Sequence, residues 1–210
     1  MKRGGLLLPT PIWMGNSFAT HSFHIIRIAL RREVLLALMR LWDKDSRTVK
    51  LTAIAELLRD KALFDALVRQ RAENLGHSFD VTDCMREALE PKRDDILRLV
   101  RKYTDGSEQS TVLERLRMLR HEQLAHRQAH QPTDPATFRH TDEEVEVFYQ
   151  DTLEIVRLLL SVFLATAFDI AREGGGVYRH HAEFFWGAAR GERTEGHPRY
   201  VPANQLIQRT

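Results

Sequence analysis

A single cysteine, Cys84, stands in the 210 residues, so the chain makes no disulfide within itself and suits a reducing compartment. Nothing near it in the sequence resembles a base, and it reads as a small packing residue rather than a nucleophile. Charge of one sign is also lacking: 31 Lys and Arg face 29 Asp and Glu. That balance excludes a general polyanion magnet or a basic tail, so any nucleic-acid contact must come from a local patch. Long apolar runs are missing too. The longest, residues 158–168, is about half of the ~20 residues that a membrane span needs, and reads as a buried core helix. The apolar run after Lys2 and Arg3 is too short for a signal peptide. Together these absences predict a cytoplasmic protein with no membrane contact. Alternating polar and apolar runs long enough for a central strand are absent as well, and no repeat or low-complexity segment is present.

What is there is helical. Glycine and proline are sparse and fall at joints. Residues 1–16 hold Gly4, Gly5, Pro9, Pro11 and Gly15 and read as an irregular lead-in. Phe23, Ile26, Leu30, Val34, Leu38 and Leu41 recur every three or four residues, predicting one helix over 17–42. A polar break at 43–47 precedes two short helices, on Leu51–Leu58 and on Leu63–Val68, the second stopped at Gly76. Thr82 is the expected N-cap of a helix over 83–103, with a kink or a division into two pieces at Pro91. A turn at Asp105-Gly106-Ser107 leads into a helix on Val112, Leu116 and Leu119, followed by a polar loop over 128–140. Thr141 and Glu144 form a capping box that opens a helix over 142–172, ended by glycines 174–176. A last helix over 177–190 carries Tyr178, Phe184, Phe185 and Trp186 as a packing stripe, and the tail after Gly191 is loose. The predicted fold is all-α: an up-and-down bundle of long antiparallel helices over 17–172, with a lead-in at 1–16 and a C-terminal helix and tail over 173–210.

Chemistry concentrates in residues 113–130, where an amphipathic helix runs into arginines and histidines: Arg115, Arg117, Arg120, His121, His126, Arg127 and His130. A zinc site needs histidines on one face. His121 and His126, five apart, point about 140° away from each other on a helix. His126 and His130 have the four-residue step but lack an evident third ligand unless His140 comes round from the loop. No metal or cofactor is therefore predicted. In the structural alternative, Arg120 pairs with Glu144 or another acid and His126 sits at a helix end. Arg115, Arg117 and Arg127 read as solvated charges in preference to RNA grips, although as phosphate contacts they would make binding salt-sensitive.

Arg120, five intervening residues, then His126, with polar His121 directly after the arginine, resembles the motif of the HEPN superfamily. The spacing alone is weak: with 25 arginines and ten histidines, about three such matches arise by chance, and Arg115 with His121 is another. Context adds weight. Residues 41–47, Leu-Trp-Asp-Lys-Asp-Ser-Arg, followed by the apolar 51–58, are similar to the first half of AbiU-like abortive-infection proteins, a HEPN branch. The resemblance spans roughly 18–172 and implies a helical bundle with the motif on a core helix. It also implies metal-independent RNA cleavage. His126 would take the 2′-hydroxyl proton, Arg120 would hold the phosphate, and His121 would orient the phosphate or protonate the leaving oxygen. Arg117 and Arg127 are the nearest candidates for RNA binding. Arg120 and His126, six apart, lie about 240° round an ideal helix, so either the helix ends near Ala125 or two chains share the site. The family precedent is a two-fold homodimer. The resemblance thus implies an endoribonuclease in phage defence, or a toxin restrained by an antitoxin protein. The alternative is a non-catalytic helical module that binds a protein partner.

Overall fold

A computed structural model describes residues 19–45, 47–76, 79–120, 141–189, 200 and 202. These form seven α-helices and one π-helical segment, with no strand among the described residues, so the fold is all-α as predicted. In chain order they are α1 (Ala19–Leu41), α2 (Leu51–Arg59), α3 (Lys61–Glu73), α4 (Thr82–Lys102), α5 (Glu108–Leu119), α6 (Asp142–Leu164), the π-helical Ile170–Gly174 and α7 (Gly175–Ala189). No helix among the described residues is long and apolar enough to cross a membrane. The chain divides into two compact units, Val34–Asp169 and Met1–Glu33 with Ile170–Thr210. The predicted lead-in lies outside the described residues, as does most of the tail after Gly191.

The larger unit is built round α4, which packs on α2, α3 and α6. Its core follows the helical period. Val145, Phe148, Thr152, Ile155, Leu158 and Val162 form the buried face of α6, and Leu89, Ile96, Leu99 and Val100 that of α4. At the centre stands Trp42, fully buried, with its ring 5.3 Å from Tyr103 and 5.6 Å from Phe148. A buried indole N–H must be paired. Trp42 Nε1 donates to Thr152 Oγ1 at 3.0 Å, and that hydroxyl donates to the Phe148 carbonyl at 2.8 Å.

Several expectations need correction. In α1 the buried positions of this unit are Leu35, Leu38, Met39 and, just beyond the helix, Trp42, while Leu41 is exposed. The stripe is turned by one residue because the largest side chain takes the core, and its helical neighbours three, four and seven back follow. Thr82 is the first residue of α4 rather than its cap; the Asp80 carboxylate accepts its N–H at 2.8 Å. Pro91 does not divide α4, since Pro91 and Glu87, whose carbonyl loses its donor, both face solvent. Cys84 is exposed, not packed.

The largest difference is at the end of α6. The helix stops at Leu164, eight residues early, with Ala165 left-handed at φ 56°. Side chains of α3 and α4 hold its terminal turn: Arg71 donates to the Val162 carbonyl at 3.3 Å, and Lys92 donates to Ser161 Oγ at 2.8 Å. Phe163, Leu164 and Phe168, in the run predicted to be core, are exposed. Glycines 175 and 176 begin α7 instead of ending α6.

In the smaller unit α7 lies beside the π-helical segment, and Trp186 meets Phe23 edge-on at 5.0 Å. Tyr178, Phe184 and Phe185 do not form the predicted packing stripe; they are 74%, 70% and 60% exposed.

Replacing Thr152 by valine keeps the shape and strands the indole N–H. The expected cost is about 1–3 kcal/mol, a fall of roughly 2–4 °C in melting temperature per kcal/mol for a chain of this size. Thr152→Ser should lie nearer the wild type. Equal melting temperatures for the valine variant and the wild type would contradict the assigned bond.

Candidate functional site

The segment that carries the Arg–His motif leaves α5 and returns at α6, and both ends are anchored. Gly106, at φ 84°, makes the turn before α5. Ser107 caps the helix by accepting from the Ser110 N–H at 3.3 Å. Val112, Leu113, Leu116 and Leu119 bury one side of α5. At the return, the predicted capping box is present: Glu144 N–H donates to Thr141 Oγ1 at 3.1 Å, and Thr141 N–H donates to Glu144 Oε2 at 2.7 Å. Arg115 ties the two helices by an ion pair to Glu144 Oε1 at 2.6 Å.

Three arginines of α5 and its C-terminus thus point to different acceptors. Arg115 takes Glu144. Arg117 donates through Nη2 to the Trp42 carbonyl at 2.7 Å and pairs through Nη1 with Glu114. Arg120, the C-cap residue of α5, donates through Nη1 to Asp43 Oδ2 at 3.3 Å. The expectation that Arg115 and Arg117 are solvated is not met: their side chains are 26% and 19% exposed and committed to the fold. Arg120 does pair with an acid, as the structural alternative expects; that acid is Asp43, and Glu144 takes Arg115 instead.

Asp43 belongs to the loop between α1 and α2. Its Oδ1 accepts the N–H groups of Lys44 at 2.7 Å and Asp45 at 3.1 Å. The Asp45 N–H is the main cause that holds its carboxyl below the ordinary range; burial opposes it, and the Arg120 and Lys44 bonds add to it. Lys44 reaches Glu114 Oε1 at 2.9 Å. Burial pushes the Glu114 carboxyl up, but Lys44 and Arg117 outweigh it and hold it low. The loop and the end of α5 are therefore clasped by three contacts, Arg117 to Trp42, Lys44 to Glu114 and Arg120 to Asp43, with the Arg117–Glu114 pair bracing α5 from within.

Of the predicted site residues, the structure places Arg120 and Arg117; His121, His126 and Arg127 lie outside the described residues. Asp43 is the residue that sequence reasoning passed over as a site. It was noticed only as part of the 41–47 segment, because no spacing rule links residues 77 apart. A cavity of about 210 Å³ nearby is lined by Tyr103, Glu108, Gln109, Val112, Glu143, Glu144 and Val147. Its acidic rim has the wrong sign for phosphate, and no motif residue lines it. Among the described residues no group of three His, Cys, Asp or Glu stands close enough to hold a metal ion.

A family model described as AbiU2, of the HEPN class, matches residues 13–185 and so takes in both the 41–47 loop and the whole Arg–His segment. No curated protein and no solved structure gives a significant match.

A carboxyl depressed in the folded state stabilises it above the unfolded value, and that contribution is lost as pH falls through the folded value. NMR titration should therefore give Asp43 a midpoint below 3.8, with the Lys44 and Asp45 amide signals moving on the same curve. A midpoint at or above 3.8 would show that these bonds are not made in solution.

Proposed function

Because the chain belongs to the AbiU2 family of HEPN proteins, we propose that it is a metal-independent endoribonuclease acting in phage defence, either by abortive infection or as a toxin restrained by an antitoxin protein. The observation that carries this reading is Arg120, a third exposed at the end of a helix anchored on both sides, at the head of the segment that bears His121 and His126.

The chemistry uses RNA's own nucleophile. His126, as neutral imidazole, takes the proton of a 2′-hydroxyl, whose oxygen attacks the adjacent phosphorus. The bond to the 5′ oxygen breaks, leaving a 2′,3′-cyclic phosphate, and His121 protonates the departing oxygen or orients the phosphate. Arg120 stays charged and sets its planar fork against the phosphate oxygens as negative charge builds. Six residues separate Arg120 from His126, about 240° on an ideal helix. A two-fold homodimer resolves this by bringing both copies of each residue to one cleft. Arg127 supplies RNA contact from the same segment; Arg117 lends positive potential, its fork being spent on Trp42 and Glu114.

A second reading has an observation of its own. The exposed Tyr178, Phe184 and Phe185 of α7 favour a helical module that binds a protein partner.

Purified chain should cleave RNA in EDTA and leave cyclic-phosphate ends, and Arg120→Ala and His126→Ala should each abolish cleavage with the helical content retained. Expression should arrest growth only with both residues intact. Cleavage that EDTA stops, or that both variants retain, would sink the nuclease reading. Retained function in those variants, with loss of a complex in Phe184→Ser, would establish the module instead.

A further inference from the structure

We propose that Asp43 is the positioning residue for Arg120, so that the loop between α1 and α2 forms part of the cleavage site. This rests on the nuclease reading above. Asp43 divides its two oxygens between separate tasks. Oδ1 is fixed by the Lys44 and Asp45 N–H groups at 2.7 and 3.1 Å, and Oδ2 takes Arg120 Nη1 at 3.3 Å. The carboxylate is thus held by backbone donors that do not depend on the arginine it orients.

The support beneath it is equally independent. Asp43 follows Trp42, whose ring is locked in the core by Thr152 and whose carbonyl is held by Arg117 at 2.7 Å. A side chain at that point of the loop inherits the rigidity of the core. Arg120 has a long, rotamer-rich stem and follows the last residue of α5, so its fork gains most from an external anchor.

The contact is also of the right kind. It engages one Nη1 N–H, whereas a guanidinium offers five donors. The rest of the fork is left for two oxygens of a phosphodiester, the planar geometry that arginine is suited to. The side chains of Arg120 and Asp43 are 33% and 24% exposed, so a substrate reaches the pair without unfolding the loop. A carboxylate that merely blocked the arginine would be displaced by RNA, and its removal would speed cleavage. The backbone-fixed Oδ1 argues for the opposite, a fixed post.

The test uses the full chain and one RNA substrate, with kcat, KM and melting temperature measured on the same preparations. Asp43→Asn keeps a neutral acceptor for Lys44 and Asp45 but loses the charge that holds Arg120. It should lower kcat by about 10- to 100-fold, the scale of a misplaced group, with KM and melting temperature close to wild type. In an Arg120→Lys background, whose ammonium has no fork to orient, Asp43→Asn should have less than about a twofold further effect, where a purely structural defect would add in full. Should Asp43→Asn fail to fold, Asp43→Ser carries the same comparison, since its hydroxyl accepts from the N–H two residues on. Unchanged or faster cleavage by the folded variant, with His126→Ala inactive, overturns the positioning role and leaves the nuclease reading standing. No cleavage by the wild-type chain overturns both.

Discussion

The hydrogen bond from the Trp42 indole to Thr152 governs more of this structure than its 3.0 Å span suggests. Trp42 is the first residue beyond α1, so fixing its ring against Tyr103 and Phe148 fixes where the loop begins. A tryptophan buried there without a partner for its N–H would carry a penalty comparable to a lost hydrogen bond. With Thr152 in place the ring has one seat, and the backbone beyond it starts from a set point. Arg117 then closes on the Trp42 carbonyl, and Asp43, one residue on, meets Arg120. Core packing and site geometry are joined at a single residue pair.

The short sequence Leu-Glu-Arg-Leu-Arg-Met-Leu-Arg is economical for the same reason. Its leucines lie on the buried face of α5, and its arginines leave in three directions at 100° per residue. One goes to α6, one to the end of α1, and one to the α1–α2 loop. The partly buried ion pairs are not there chiefly for stability, since exposed and half-exposed pairs contribute little. They set the register between α5 and its neighbours, and so the place of Arg120 at the end of α5. The HEPN family membership gives that place its meaning.

Much of this was legible beforehand. The helices of the larger unit announced themselves by period, Gly76 by its place after α3, and Thr141 with Glu144 by a local hydrogen-bond pattern that needs no tertiary knowledge. The resemblance to the family came from the 41–47 segment and the Arg–His spacing. What stayed hidden is what depends on long-range contact. The rotation of the α1 stripe depends on Trp42 finding Thr152, 110 residues away. The early end of α6 depends on Arg71 and Lys92 reaching it from other helices, while the apolar run 158–168 by itself argues for continuation. The solvated reading of Arg115 and Arg117 failed because amphipathic period says which residues leave the core, not which acids wait for them. Asp43 stood in the 41–47 segment, but nothing local pointed to Arg120 as its partner.

The proposed cleavage requires Arg120 and His126 to meet on one phosphodiester. The most direct measurement is a structure of the chain bound to RNA made uncleavable by a single 2′-deoxy nucleotide at the scissile position. The expected result is the Arg120 fork on the phosphate oxygens, Asp43 still on Nη1, and a His126 imidazole, from the same chain or its two-fold mate, beside the 2′ carbon. RNA bound with its backbone away from Arg120, or with every His126 ring turned from the phosphate, would contradict it.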